Sequence, residues 1–152
     1  MSSKKKISIL GVTGSIGQST TDVILANPDA FEVHAVTAHK NVEALAKAAI
    51  KLKAAKAIIA DESLIDQLRA YLKNQNIEAL GGSGNIEAIA GEQTDLVMVA
   101  IMGFAGLRPI INAINNGIHV AIANKEPLVA AGGYITNLAK EKNVKILPVD
   151  SE

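Results

Sequence analysis

Three glycines at regular spacing near the start of the chain form its clearest candidate for a binding site. Gly11, Gly14 and Gly17 follow a short apolar run and open a segment of helical period. Glycine permits a tight turn and lets the backbone approach phosphates, and a helix that begins there offers unpaired N–H groups and a positive dipole end. Thr13 and Ser15 add hydroxyl donors. The pattern predicts a dinucleotide pyrophosphate site, although a purely structural turn could use the same glycines.

The end of the second predicted strand bears on the choice between NAD and NADP. An NAD site places an acidic residue there, about 20 residues past the glycines, to hold the ribose 2′-hydroxyl. This chain instead has Ala38, His39, Lys40 and Asn41, with no acid among them to repel a 2′-phosphate. Lys40, together with His39 and the helix start at Asn41, could bind that phosphate. The charge pattern favours NADP; the alternative is a solvated loop with an incidental lysine.

Two further polar runs follow predicted strands. Asn124, Lys125 and Glu126 lie at the carboxyl end of the fifth strand, where ligands collect in open α/β sheets, but an exposed charged loop fits them equally well. Strand alternation places Asp150 and Glu152 on one face after the sixth strand, about 7 Å apart. Two carboxylates suit Mg²⁺ or Mn²⁺, although they do not complete a coordination shell, and a solvated chain end is the commoner explanation.

The elements that must position these residues alternate between strand and helix. Helical stripes with turn or cap residues at their ends separate β-branched runs, several of which lack polar alternation. This predicts an α/β fold with a Rossmann-like, doubly wound, mainly parallel sheet in a three-layer αβα arrangement. The predicted strands are 6–10, 32–37, 55–60, 95–101, 119–123 and 144–149, with a weaker one at 77–80, and the helical stripes are 16–24, 42–49, 64–72 and 107–114.

Several single residues carry local predictions. We expect Asn41 and Ser63 to cap the second and third helices, Pro127 to begin a helix, and Gly132-Gly133 to break that helix. Helices should stop at Asn27-Pro28 and Asn116-Gly117, and Met98 and Met102 should pack inside the fifth strand.

Composition excludes several functional classes. The 152 residues are 49% hydrophobic and carry 15 basic and 15 acidic side chains, so one globular domain without a broad cationic field is expected. Zero net charge and 3% aromatic residues argue against nucleic acid as a partner, and the longest apolar stretch is too short to span a membrane. The absence of cysteine excludes disulfides and thiolate metal sites and fits a cytoplasmic protein.

Taken together, four motifs resemble the N-terminal NADPH-binding domain of the 1-deoxy-D-xylulose 5-phosphate reductoisomerase family of the non-mevalonate isoprenoid pathway. They are Gly-Val-Thr-Gly-Ser-Ile-Gly-Gln-Ser-Thr, His-Lys-Asn, Ala-Asn-Lys-Glu and Pro-Val-Asp-Ser-Glu. The resemblance covers residues 1–152 as one cofactor domain, ending where the metal and catalytic region starts. It implies that the catalytic and C-terminal domains follow this sequence in a longer protein, which pairs as a homodimer.

The resemblance also implies a reaction and residue roles. A divalent metal (Mn²⁺ or Mg²⁺) assists rearrangement of 1-deoxy-D-xylulose 5-phosphate, and NADPH then reduces the aldehyde to 2-C-methyl-D-erythritol 4-phosphate. The chain alone is expected not to turn over. The implied roles are pyrophosphate binding by Thr13, Gly14, Ser15 and Ile16 in the turn framed by Gly11 and Gly17, 2′-phosphate binding by Ala38, His39, Lys40 and Asn41, cofactor contacts by Asn124 and Glu126, substrate contacts by Lys125 and Ser151, and metal binding by Asp150 and Glu152.

Two departures from the family pattern and two alternatives accompany this interpretation. The family usually has Gly at His39 and Ser at Pro127; the proline removes a hydroxyl and a backbone donor there. The chain could instead be the cofactor domain of another NADP-dependent dehydrogenase, of semialdehyde or homoserine type, or a non-catalytic NADP-sensing module. Neither alternative needs Lys125 or Asp150.

Overall fold

A computed structural model describes residues 4–149. Seven parallel strands form a single sheet in the order β4-β3-β2-β1-β5-β6-β7. The strands are β1 (Lys5–Leu10), β2 (Phe31–Ala38), β3 (Lys56–Ile59), β4 (Glu78–Gly81), β5 (Leu96–Val99), β6 (His119–Ile122) and β7 (Ile146–Pro148). The helices are α1 (Ser15–Ala26), α2 (Val42–Leu52), α3 (Ile65–Tyr71), α4 (Ser83–Ala90), α5 (Leu107–Asn115) and α6 (Glu126–Lys142).

Helices cover both faces of the sheet, which explains why the strands read as apolar runs. On one face, buried residues of α1, α2 and α3 pack with alternate strand residues such as Ile7 and Ile9. On the other face, α4, α5 and α6 pack with Leu10, Val97 and Val99. The predicted three-layer, doubly wound α/β fold is confirmed. None of the described helices is long and apolar enough to cross a lipid bilayer.

The predicted helix ends hold in most places, and the predicted cap at Ser63 is wrong. Helix α1 ends at Ala26 with Asn27 as its C-cap, and the side chain of Asn41 caps α2 by accepting from the Ala44 amide at 3.1 Å. The prediction of Ser63 as a cap is wrong, because Asp61 starts a 3-10 turn there by accepting from the Ser63 amide. The break in α6 falls at Ala131, directly before the two glycines, with φ −138° and ψ 26°.

A charged cluster supports the sheet at the edge away from the strands' carboxyl ends. The Nε2 atom of His34 lies 2.8 Å, and Nζ of Lys56 3.1 Å, from Oε1 of Glu92. Burial alone would raise the pKa of Glu92, but these hydrogen bonds outweigh it and hold that pKa below its ordinary value. The bond to Glu92 in turn raises the pKa of Lys56. The cluster therefore joins β2, β3 and the loop before β5 through an ionised carboxylate.

Candidate functional site

A cleft of about 940 Å³ opens at the carboxyl ends of the central strands. After β1 the chain adds β2, β3 and β4 on one side, and β5 then returns to the other side of β1. The connections leaving β1 and β5 therefore run in opposite directions, which leaves a crevice between them at this point of the sheet. The glycine turn after β1, the end of β2 and the loop after β5 all line that crevice.

Two of the three glycines are required by the turn itself. Gly11 has a φ of +88°, and a Cβ atom there would lie 2.5 Å from the carbonyl oxygen of Ala100 after β5. Gly17 is buried, and a Cβ would collide with the backbone of Gly11 and Val12. Its role is to let α1 pack on the turn, and it does not line the cleft. The amide of Gly11 also donates to Oγ1 of Thr37 at 3.0 Å, which fastens the turn to β2.

Gly14 differs from its two neighbours because the protein's own packing does not demand a glycine there. It is the N-cap of α1 with φ −78°, and the nearest atom to an added Cβ would be the Gly11 carbonyl oxygen at 4.0 Å. No side chain caps α1, so its first amides lack a side-chain acceptor. Together with half-buried Thr13, Gly14 lines the cleft. The start of α1 thus presents N–H groups and open space where an anionic ligand could approach.

The end of β2 contributes Ala38 and His39 to the cleft lining. Lys40 and Asn41 are exposed just beyond it, and the Asn41 side chain is used to cap α2. His39, which the sequence predicts to bind a 2′-phosphate, thus lines the cleft, and Lys40 lies just beyond it. The structure brings together the backbone at the ends of β2 and β3, since the Asp61 amide donates to the His39 carbonyl oxygen at 3.0 Å.

The acidic residue Asp61 therefore lies beside the end of β2, although it follows β3 in the sequence. Hydrogen bonds from the Ser63 hydroxyl and amide hold the pKa of Asp61 below its ordinary value, and the charges of Lys40 and His39 lower it further. The sequence argument that no acid opposes a 2′-phosphate holds for β2 alone. It missed Asp61 because sequence alone does not reveal which strand lies beside β2.

Asn124 and Glu126 hold the loop after β5. The side-chain Nδ2 of Asn124 donates to the carbonyl oxygens of Ile101 at 2.8 Å and Gly103 at 3.0 Å. A carboxylate oxygen of Glu126 accepts from the Gly103 amide at 3.0 Å. Gly103 has a φ of +70°, so these bonds fix a loop that needs a left-handed residue. The sequence alone left open whether these residues form a binding site or an exposed charged loop. In the structure, Asn124 and Glu126 instead shape one wall of the cleft by holding the loop after β5.

Lys125 lies beside the cleft rather than inside it. It is exposed at the N-cap of α6 and lines a smaller pocket of about 230 Å³ with Phe104 and Val129. Phe104 lines both the pocket and the cleft, so its ring lies where they meet. Pro127 occupies the first turn of α6, as predicted, and is buried. Met102 is 87% exposed, which corrects the expectation that it packs inside β5.

The predicted metal and substrate ligands Asp150, Ser151 and Glu152 lie outside the described residues. Within residues 4–149, no group of three or more histidine or carboxylate side chains is arranged to hold a metal ion.

Sequence reasoning missed one wall of the cleft, made by the starts of α4 and α5. Its members are Ser83, Gly84, Ile86 and Glu87 from α4 and Leu107, Arg108 and Pro109 from α5. The run Gly81-Gly82-Ser83-Gly84 could have indicated this wall. It follows the weak predicted strand at 77–80 in the same way that the first glycine turn follows β1. Helix α4 itself was not predicted.

Comparison with known proteins shows a single family across most of the chain. The family model for 1-deoxy-D-xylulose 5-phosphate reductoisomerase matches residues 7–132. The reductoisomerase of Rhodopseudomonas palustris strain BisA53 is 45% identical over 148 residues, which are 97% of this chain and 36% of that protein. The one from Zymomonas mobilis is 44% identical over 152 residues, which are 100% of this chain and 39% of that protein. The chain thus spans less than two-fifths of these relatives.

Solved structures give the same result. The Zymomonas mobilis reductoisomerase in complex with NADPH has a TM-score of 0.95 at 43% identity, covering 98% of this chain and 39% of that one. A DOX-P reductoisomerase in complex with NADPH, fosmidomycin and magnesium has a TM-score of 0.89 at 33% identity, covering 95% of this chain and 36% of that one. A homoserine dehydrogenase from Thiobacillus denitrificans, at 20% identity and a TM-score of 0.58, shares the fold alone.

Proposed function

This chain belongs to the 1-deoxy-D-xylulose 5-phosphate reductoisomerase family, and from that premise we propose that it is the NADPH-binding domain of such an enzyme. The observation that carries the proposal is the uncapped start of α1, which opens into the crevice between β1 and β5 with free space at Gly14. A dinucleotide pyrophosphate needs backbone N–H groups and close approach, and both are available there. The likeness to a relative solved with NADPH supports the same conclusion.

The cofactor would lie along the carboxyl edge of the sheet. Its pyrophosphate would contact the turn from Thr13 to Ile16, including the hydroxyls of Thr13 and Ser15. Its 2′-phosphate would lie by Ala38, His39, Lys40 and Asn41, where Lys40 carries a positive charge. The nicotinamide would lie on the β5 side of the cleft, where Asn124 and Glu126 hold the loop that supports it.

The whole enzyme would isomerise 1-deoxy-D-xylulose 5-phosphate and reduce the product to 2-C-methyl-D-erythritol 4-phosphate. Bound NADPH supplies the hydride, and a bound Mg²⁺ or Mn²⁺ stabilises negative charge that develops on the substrate oxygens. Asp150 and Glu152 would hold the metal, and Ser151 would contact the substrate. Exposed Lys125, beside the cleft, would bring a positive charge to the substrate hydroxyls. A relative in this family has been solved with magnesium.

The chain alone is expected to bind cofactor without catalysing the reaction. Two carboxylates do not complete a metal shell, and the chain spans 36 to 39% of its relatives' length. Incubation with substrate, Mn²⁺ and NADPH should leave the NADPH absorbance unchanged, and measurable oxidation would contradict this expectation. The full-length enzyme is proposed to act as a cytoplasmic homodimer.

Calorimetric titration of the chain with NADPH and, separately, NADH tests the proposed function. NADPH should bind more tightly, and its advantage should shrink as salt is raised, because the 2′-phosphate is recognised by charge. Equal binding of the two dinucleotides would remove the role given to His39 and Lys40. Failure of a folded sample to bind either dinucleotide would contradict the proposed function.

The two alternative functions are not favoured. A homoserine-type dehydrogenase shares the fold at 20% identity, whereas reductoisomerases match in sequence across almost the whole chain. In the full-length protein that contains this chain, replacing Lys125 or Asp150 should abolish turnover of 1-deoxy-D-xylulose 5-phosphate while NADPH still binds. Retained turnover would favour the dehydrogenase alternative.

A further inference from the structure

Arg108 is the one arginine within residues 4–149 that lines the cleft, and the proposed function leaves it without a role. Its side chain is 82% exposed at the second position of α5. The chain's other arginine, Arg69, lies on α3 beside Asp66 and does not line the cleft. We propose that the guanidinium of Arg108 stacks on the adenine ring of the bound dinucleotide, an inference that rests on the proposed function.

Position along the cleft is the first argument for adenine. Helix α4 directly follows β4, the edge strand beside β3, so its first residues face the carboxyl ends of β2 and β3. Glu87 lies one turn along α4, and Nη1 of Arg108 is 4.0 Å from its Oε2. The guanidinium therefore reaches toward the side of the cleft that holds Ala38 and His39. This is the adenosine side, since Asn124 and Lys125 lie at the opposite side.

The chemistry of the cleft wall made by the starts of α4 and α5 is the second argument. Ile86, Leu107 and Pro109 make it largely apolar, which suits the face of a flat, neutral ring. The carboxylate of Glu87 would repel a phosphate placed against the Arg108 guanidinium, but it does not oppose an uncharged base. A planar guanidinium stacks on aromatic faces, and the interaction is strongest when the ring excludes water from one side.

The rigidity of the wall is the third argument. The Asn112 side chain on α5 donates to the Glu87 carbonyl oxygen on α4 at 2.6 Å. A Cβ at Gly91, just after α4, would lie 2.6 Å from Nδ2 of the same asparagine. The two helices are therefore closely joined, so the backbone that carries Arg108 is fixed before a ligand binds and only the side chain has to be ordered.

The test compares three variants with the unaltered chain by calorimetric titration against NADPH and NADH. Arg108→Ala should weaken both dinucleotides by the same factor, about three- to tenfold, because both contain adenine. Arg108→Lys keeps the charge without the planar group and should recover only part of the loss. Arg69→Ala removes the same charge outside the cleft and should change neither affinity.

The outcomes separate this inference from the proposed function. A loss confined to NADPH would place Arg108 at the 2′-phosphate and overturn the stacking proposal, as would unchanged binding by Arg108→Ala. If Arg108→Lys binds both dinucleotides as tightly as the unaltered chain, then charge alone accounts for the contact, and the stacking proposal is overturned as well. If the unaltered chain binds neither dinucleotide, the proposed function fails first and this inference falls with it. Circular dichroism and thermal unfolding establish that each variant is folded.

Discussion

Gly14 is the residue at which ligand binding can be separated from packing. Gly14→Ala introduces a methyl group into open space at a φ that alanine adopts readily, so the free energy of unfolding should fall by about 1 kcal/mol or less, the usual effect of alanine at an N-cap. The same methyl group would stand where the pyrophosphate must approach, so NADPH affinity should fall by about tenfold or more. Calorimetric titration and denaturant unfolding measure the two effects.

Gly132→Ala is the matched control for that variant. A Cβ at Gly132 also meets open space, but on α6, away from the glycine turn, so NADPH affinity should stay close to that of the unaltered chain. Stability should not fall, because alanine is more favourable than glycine within a helix. If Gly14→Ala binds NADPH as tightly as this control, then the pyrophosphate does not lie against the start of α1.

Glu92 should make the stability of the chain depend on pH. Its pKa is depressed in the folded state, so the stability it contributes is present above its unfolded pKa of about 4.3 and is lost as pH falls through the lower, folded value. Glu92→Gln should therefore destabilise the chain at pH 7, by about 1 kcal/mol because the side chain is partly exposed, and should do so much less near pH 3. Urea unfolding at both pH values tests this.

The exposed pair between Glu43 and Lys47 provides the control for the Glu92 cluster. Both side chains are more than half exposed on α2, so Glu43→Gln should have a smaller effect at pH 7. Equal destabilisation by the two variants would mean that the contacts of Glu92 with His34 and Lys56 contribute no more than an ordinary surface pair.

At the scale of elements, the loop after β5 both contributes to the stability of the fold and lines the cleft. Asn124→Ala removes the donors that hold the Ile101 and Gly103 carbonyl oxygens. The cofactor-free chain should lose about 1–2 kcal/mol of stability, and amide exchange in the loop should become faster. If Asn124 served only to contact the cofactor, neither property would change in the absence of NADPH.

Strand and helix positions could be read from the sequence where hydrophobic period and turn residues agreed. All six predicted strands and the weaker one occur, because apolar runs between helical stripes leave little choice in an α/β chain. The predicted strand at 95–101 ends earlier, at Val99, because Ala100 to Met102 leave the sheet to line the cleft. Helix α4 escaped prediction because its glycine-rich start masks a short amphipathic pattern.

The site could be predicted only in part, because its residues come from strands distant in sequence. The turn from Gly11 to Gly17 and the end of β2 were found, since both depend on local patterns. Asp61 and Arg108 were not, because their relevance depends on β3 lying beside β2 and on α4 packing with α5. Local sequence specifies turns and caps, whereas sheet order decides which of them meet.

At the scale of the whole molecule, the cleft lies where the two halves of the sheet meet. β2, β3 and β4 form one half and β5, β6 and β7 the other, with β1 between them, and each half contributes residues to the cleft. A ligand bound there contacts both halves, so its binding energy should stabilise the sheet as one unit rather than one half alone.

NADPH should therefore shift a single cooperative unfolding transition to higher temperature. At a free concentration one hundred times the dissociation constant, linkage adds about 2.7 kcal/mol to the free energy of unfolding. Circular dichroism and the fluorescence of Tyr71 on α3 and Tyr134 on α6, which lie on opposite faces of the sheet, should agree on one midpoint without NADPH. They should also agree on one higher midpoint in its presence. Two separated transitions, with only one of them moved by NADPH, would mean that the cofactor is held by one half alone and that the crevice beside β1 is not its site.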